Sequence, residues 1–146
     1  MNKRALQPSL KGRALRLLSQ REHSRAELER KLAEHETEPG QLARALDELQ
    51  ARGFINEERV VESVIHRRAG KLGTARIRQE LVAKGLSGEA VAEAMEQLRG
   101  TELARAREVW GRKFGEPATD PKEKARQIRF LVSRGFAAEV VRKIVG

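Results

Sequence analysis

The sequence predicts an all-α protein of three tandem three-helix, helix-turn-helix-like repeats that form an elongated curved rod, and three observations carry that expectation. Apolar residues recur at i, i+3, i+4 spacing along almost the whole chain, the period that keeps one face of a helix dry. Helix starts and stops fall at chemically apt residues. The entire pattern then recurs at an offset of 49–50 residues.

Each stripe predicts one helix. Ala14, Leu17 and Leu18 form the first, Leu28 and Leu32 the second, and Leu42, Ala45, Leu46 and Leu49 the third. Val60, Val61, Val64 and Ile65 follow, then Ile77 and Leu81, then Val91, Ala94, Met95 and Leu98. Leu103, Ala106, Trp110 and Phe114 begin the last third; Ala125, Ile128 and Leu131, then Val140, Val141 and Ile144, complete a set of nine. Ser24 and Glu27 have the spacing of a capping box, in which hydroxyl and carboxylate each satisfy an orphan amide. Asn56 precedes two glutamates that suit a positive helix end, and Asp120-Pro121 places a cap before a proline at the first helical position. Gly53, Gly85, Gly100 and Gly135 are the expected stops.

The repeat sets the domain organisation. An offset of 49 carries Leu28 and Leu32 onto Ile77 and Leu81, and Leu42, Ala45, Leu46 and Leu49 onto Val91, Ala94, Met95 and Leu98. An offset of 50 carries Lys84-Gly85-Leu86 onto Arg134-Gly135-Phe136 and Val91 onto Val141. The expected boundaries are a flexible basic terminus at 1–6 and repeats at 7–55, 56–100 and 101–146. Short stacked units expose a long surface for their mass, which suits lying along a filament or groove.

Composition narrows the function classes. The 146 residues carry 30 lysines and arginines against 21 acids, a net charge of +9. Residues 101–146 hold 11 basic residues against six acidic ones, so the charge is concentrated toward the C-terminus. Nucleic acid, an acidic protein face or an anionic membrane is the usual partner of such a chain. The absence of cysteine excludes disulfides and zinc–thiolate sites and fits a reducing cytoplasm. No apolar run suggests a membrane span or a signal peptide.

No catalytic constellation is present, and neither an enzymatic activity nor a cofactor is expected. His23, His35 and His66 lack metal-ligand spacing and read as surface or half-buried residues. Glu27, Glu29, Glu34 and Glu36 read as solvated helix faces. Gly70-Lys71-Leu72-Gly73-Thr74 lacks the spacing of a phosphate loop and follows no strand, so it reads as a helix–helix turn. The basic residues remain. Arg67, Arg68, Lys71, Arg76 and Arg78 surround one helix–turn–helix junction and are the first candidates for contact with a partner or with phosphates. Lys113, Lys122, Lys124 and Arg126 are the second set, in a neighbourhood that also holds Arg105, Arg107, Arg112 and Arg129. Replacing Arg76 and Arg78 by glutamate is expected to weaken partner binding at little cost in stability. The aromatics fall on apolar stripes or at glycine stops, so base stacking is not the expected mode.

Several of these segments resemble a known family. Ser24-Arg25-Ala26-Glu27-Leu28-Glu29-Arg30-Lys31-Leu32 is similar to the S-R-x-E-L-x-x-K-L signature of RecX, the bacterial regulator of RecA recombinase. Gly53-Phe54-Ile55-Asn56-Glu57-Glu58-Arg59 resembles its junction motif, and Gly73 to Ile77 and Leu81, followed by Lys84-Gly85-Leu86, resembles its G-x-x-x-I-x-x-x-L-x-x-x-G segment. The resemblance runs from about Leu10 to the end, in order, with Val60 standing where the family pattern has an aromatic residue. It implies three three-helix repeats, no enzymatic activity and binding of a monomer to the groove of the RecA filament on single-stranded DNA. It also implies inhibition of the ATPase, strand exchange and coprotease activities of RecA. Two other functions fit the residues alone: a general double-stranded DNA binder of helix-turn-helix type, and a protein-interaction scaffold.

Overall fold

The computed structural model describes residues 7–146; the basic terminus expected at 1–6 lies outside the described residues. Among the described residues there are eight α-helices, one 3-10 turn and no strand. They are α1 (Leu10–Gln20), α2 (Arg25–Leu32), α3 (Gln41–Ala51), α4 (Glu57–Arg68), α5 (Thr74–Ala83), α6 (Glu89–Lys113), α7 (Pro121–Ser133) and α8 (Ala138–Val145). The 3-10 turn, Ala33–His35, extends α2. The chain divides into two compact units, Met1–Val60 and Val61–Gly146.

In the first unit α1, α2 and α3 pack on one another. Their stripes close over Leu10, Ala14, Leu28, Leu32, Leu42, Leu46 and Leu49, with Ile55 entering from the loop after α3. Burial of these apolar surfaces, at about 25 cal/mol per Å² removed from water, is the main force holding the unit. The capping box forms as its spacing predicts: the Ser24 hydroxyl accepts from the Glu27 amide at 3.1 Å, and Glu27 accepts from the Ser24 amide at 3.0 Å. Glu27 is therefore not a solvated side chain. It is 7% exposed, and its second oxygen receives Arg21 at 2.7 Å. Asn56 caps α4 by accepting from the Arg59 amide.

His23 also departs from the sequence reading, being 1% exposed rather than at the surface or half-buried. Its Nδ1 lies 3.1 Å from the Arg21 carbonyl and its Nε2 lies 3.1 Å from the Lys31 ammonium. An ammonium can only donate and a carbonyl can only accept, so these neighbours select the neutral ring with its proton on Nδ1. Burial lowers the His23 pKa; the bond to the Arg21 carbonyl opposes this, the cationic charges of Arg21 and Lys31 add to it, and Glu27 opposes it weakly.

The second unit is organised around α6. Its buried positions, Ala94, Met95, Leu98, Glu102, Ala106 and Val109, form one continuous i, i+3, i+4 stripe along a helix of 25 residues. The helix packs on α5, α7 and α8. Ile77, Leu81, Leu86, Ala94, Met95 and Leu98 are buried along its N-terminal part, and Ala106, Val109, Leu131, Phe136 and Val141 form a core along its C-terminal part. Asp120 caps α7 through the Glu123 amide at 2.8 Å, ahead of Pro121 at the first turn.

The nine helices expected from the sequence are thus eight, because Gly100 does not stop a helix. Gly53, Gly85 and Gly135 take positive φ angles and do end helices, whereas Gly100 lies inside α6 with helical backbone. Glu102, just past that glycine, is buried and continues the stripe from Leu98 to Ala106.

Two predictions follow from these elements. A methyl group at Gly100 would meet nothing within 4 Å, so Gly100→Ala should stabilise the protein by about 0.5–1 kcal/mol, seen as a higher urea midpoint. A base whose folded pKa is lowered leaves the unfolded chain the better proton acceptor. The stability due to neutral His23 is therefore complete above its ordinary value of 6.5 and falls as pH drops through the folded pKa. Urea unfolding between neutral pH and about pH 5 should show a steeper loss for the natural chain than for His23→Gln, which keeps a donor and an acceptor but gains no proton.

Candidate functional site

All nine candidate site residues lie in the second unit, on elements fixed by polar contacts from α6. The Glu102 carboxylate, 6% exposed, accepts from the Thr74 amide at the start of α5 at 2.7 Å and from the Ala137 amide at the start of α8 at 3.5 Å. An anion at two helix N-termini is well placed, since both carry orphan amides and partial positive charge. One turn further on, the Arg105 guanidinium donates to the carbonyls of Ala69 and Leu72, just past the end of α4, and to Leu98. It also reaches the hydroxyls of Thr74 and Thr101. Arg105 is therefore a half-buried strut rather than a surface cation. Burial lowers its pKa and the Glu102 charge opposes that shift; arginine stays protonated in either case.

The Gly70–Thr74 segment is the helix–helix turn that the sequence suggested. Its Gly73 amide donates to the Arg134 carbonyl at 2.8 Å, and the Arg76 guanidinium donates to the Ser133 carbonyl at 2.7 Å. The backbones meet so closely that a Cβ on Gly73 would lie 2.3 Å from the Gly135 carbonyl. Gly135 has φ +93 and itself faces the Arg76 side chain. Both positions need glycine, one for space and one for conformation as well. Arg112 completes the seam by donating to the Gly70 carbonyl.

This seam brings Arg68, Lys71 and Arg76 of the first candidate set together with Lys113 of the second. A cleft of about 530 Å³ is lined by Arg68, Lys71, Arg76 and Arg134, with Glu80 as its one acid. A second, of about 300 Å³, is lined by Lys71, Arg112, Lys113 and Arg134 with Phe130 and Val109. Lys71 and Arg134 belong to both, so the two clefts form one basic groove.

The candidates differ in how free they are. Arg68 pairs with Glu80 at 3.0 Å and Arg67 approaches the same carboxylate at 3.7 Å, so one acid offsets part of two charges. Lys71 is exposed and its side chain meets no acid among the described residues. Arg76 lines the groove and also bonds Ser133, so its replacement would disturb the seam, contrary to the small stability cost expected from sequence. Arg78 lies elsewhere, in a shallow cleft with Ala75 and Val82. Lys113 stands 5.5 Å from the Phe130 ring centre, and Arg134 stands 4.6 Å from it. Arg126 lies over Phe114 and pairs with Glu123 at 3.3 Å. Lys122 and Lys124 are exposed and line neither cleft. Arg134 and Arg112 were absent from the two candidate sets. Arg134 had one sequence signal, its place beside Gly135 in the repeat, but nothing local showed that it would face Lys71.

The fold and groove define a class: an all-α protein of repeated three-helix units with a cationic groove on its surface. The comparisons narrow it. The chain matches, in order, the first three-helix domain of RecX over residues 11–49, the second over 56–95 and the third over 101–145. It is 58% identical over 139 residues to the regulatory protein RecX of Leptothrix cholodnii, covering 95% of this chain and 88% of that one. It is 49% identical over 137 residues to that of Ralstonia nicotianae, covering 94% and 86%. The crystal structure of RecX from Lactobacillus salivarius superposes with a TM-score of 0.76 at 17% identity, over 93% of this chain and 92% of that one. The chain belongs to the RecX family, whose members are regulatory proteins rather than enzymes.

The seam gives its own prediction. Glu102→Ala leaves two helix-start amides without their acceptor and should cost about 1–3 kcal/mol; Glu102→Gln, which keeps an acceptor, should cost less. Amide hydrogen exchange at Thr74 and Ala137 should accelerate in the alanine variant before that of the first unit changes.

Proposed function

We propose that this chain is a negative regulator of RecA recombinase that binds the RecA–DNA filament. In this reading it acts as a cytoplasmic monomer, lowers RecA's ATP hydrolysis, strand exchange and coprotease activities, and thereby restrains DNA repair by recombination and the SOS response. The observation that carries the reading is the basic groove of the second unit, in a chain of a family named for regulation. Cations along a groove can meet phosphates or carboxylates without reading sequence, as a ligand for a filament of any base composition requires. Several such contacts on repeated units would sum, since each later contact becomes intramolecular once the first has formed.

The test is RecA's single-strand-DNA-dependent ATP hydrolysis, with this protein added at amounts well below RecA. Strong inhibition at such ratios supports a filament regulator, because masking bare DNA would take far more protein. Lys71→Glu with Lys113→Glu should raise the concentration for half inhibition about tenfold or more while leaving thermal stability nearly unchanged. Unchanged inhibition by that variant removes the groove from the reading. Absence of inhibition with tight, steeply salt-dependent binding to naked duplex would support a general DNA binder instead; binding to a protein partner that survives nuclease treatment would support a scaffold.

A further inference from the structure

The first unit carries a cleft that the groove of the second does not explain. It has a volume of about 290 Å³ and lies against α1, α2 and the 3-10 turn. Leu17, Leu32 and Gly12 give it an apolar floor. Its rim holds Arg13, Arg16, Lys31 and His35, and among the described residues no acid lines it, in a chain where acids are interspersed nearly everywhere else. Arg13 and Arg16 stand three apart on α1 and so share a face. Neither makes an ion pair with any described residue, whereas Arg21, Arg25 and Arg59 of the same unit are each paired. Lys31 is held at the rim by its contact with His23 Nε2.

An apolar pocket ringed by unpaired cations fits an anion that also has something greasy to bury. A nucleic-acid strand satisfies the rim but not the floor. Pro8 and His35 complete the lining; His35 is its one aromatic ring and stands 3.6 Å from the Glu34 carboxylate, and Leu17, Leu32 and Gly12 offer no side-chain donor or acceptor for the edge of a base. A bare carboxylate cluster has the same shortcoming. We propose that this cleft docks a segment of a partner protein in which one large aliphatic or aromatic side chain is flanked by carboxylates. The side chain fills the floor between Leu17 and Leu32, and the carboxylates meet Arg13, Arg16 and Lys31. The apolar anchor supplies most of the affinity, and the charges choose acidic segments and reject basic ones. This site does not depend on the basic groove or on RecA.

The experiment selects ligands from phage-displayed random dodecapeptides on the full-length protein. The expected outcome is a consensus of Leu, Ile, Phe or Trp beside Asp or Glu. A synthetic peptide of that consensus, titrated into isotope-labelled protein, should shift the amides of Gly12, Leu17 and Leu32. Arg13→Glu with Arg16→Glu should weaken that peptide about tenfold or more, and replacing its apolar anchor with serine should do the same. Arg107→Glu with Arg129→Glu, an equal charge change on exposed residues of the second unit, should leave it unaffected and so separate the cleft from net charge. No consensus, a consensus without acids, or equal binding after the α1 substitutions overturns the proposal. So does an oligothymidylate that shifts the same amides and displaces the peptide, which would assign the cleft to nucleic acid. Inhibition of RecA is not among the readouts, so failure here leaves the reading of the groove standing.

Discussion

The second unit depends on two charged side chains placed one turn apart on α6. Glu102 directs a carboxylate at the first amides of α5 and α8, and Arg105 directs a guanidinium at the carbonyls just beyond α4. The signs match the ends they meet, negative at helix starts and positive at a helix end. Burying charge is costly when it is unpaired, but each of these groups is saturated by backbone partners. The contacts also specify direction. An apolar residue at position 102 would bury as well, yet it would not fix where α5 and α8 must begin. This explains why α6 continues through Gly100, whose intrinsic cost in a helix is about 1 kcal/mol. Stopping there would uncouple Leu98 from Glu102 and separate the two halves of the stripe.

The groove is a consequence of that placement. With α5 and α8 fixed from the same carboxylate, the turn at Gly73 meets the turn at Gly135 at backbone distance. Lys71 then comes to share a cleft with Arg134, a residue far along the chain. The groove therefore rests on two glycines and an acid that line neither cleft. A change at Gly73 or Glu102 would act on the groove by moving Lys71 away from Arg134 and Lys113, without removing a side chain that lines it.

Much of the architecture was legible because it depends on local chemistry. Ser24 with Glu27, Asn56 and Asp120-Pro121 form the caps that their spacing implies, and the stripes of α1 to α5, α7 and α8 mark real buried faces. What was hidden depends on contacts between segments distant in sequence. Glu102 looks like an ordinary surface acid until α5 and α8 are placed around it. Arg105 counts as one more basic residue until the α4–α5 turn surrounds it. His23 looks superficial because its burial depends on Arg21 and Lys31 supplying one acceptor and one donor. The candidate site was legible as a composition, basic and without catalytic groups, but not as a groove. Arg78 sits near Arg76 in sequence yet lines a different cleft, while Arg134 shares one with Lys71.

The way the groove holds its cations separates it from an ordinary solvated surface. Several arginines are met by acids: Arg25 by Glu29 and Asp47, Arg59 by Glu22, Arg99 by Glu96 and, in the groove itself, Arg68 by Glu80. Such pairs orient a side chain and neutralise it together. In the groove Lys113 and Arg134 are set against the ring of Phe130, which is itself held edge-on to Phe114 with centroids 5.4 Å apart. A ring face attracts a cation through its quadrupole and contributes about 0.5–1 kcal/mol at an exposed site, but it carries no net charge. The side chains are thus restrained without losing their field, and less rotamer freedom remains to be lost when an anion binds. The same two phenylalanines therefore stand beside the groove as supports for its charge.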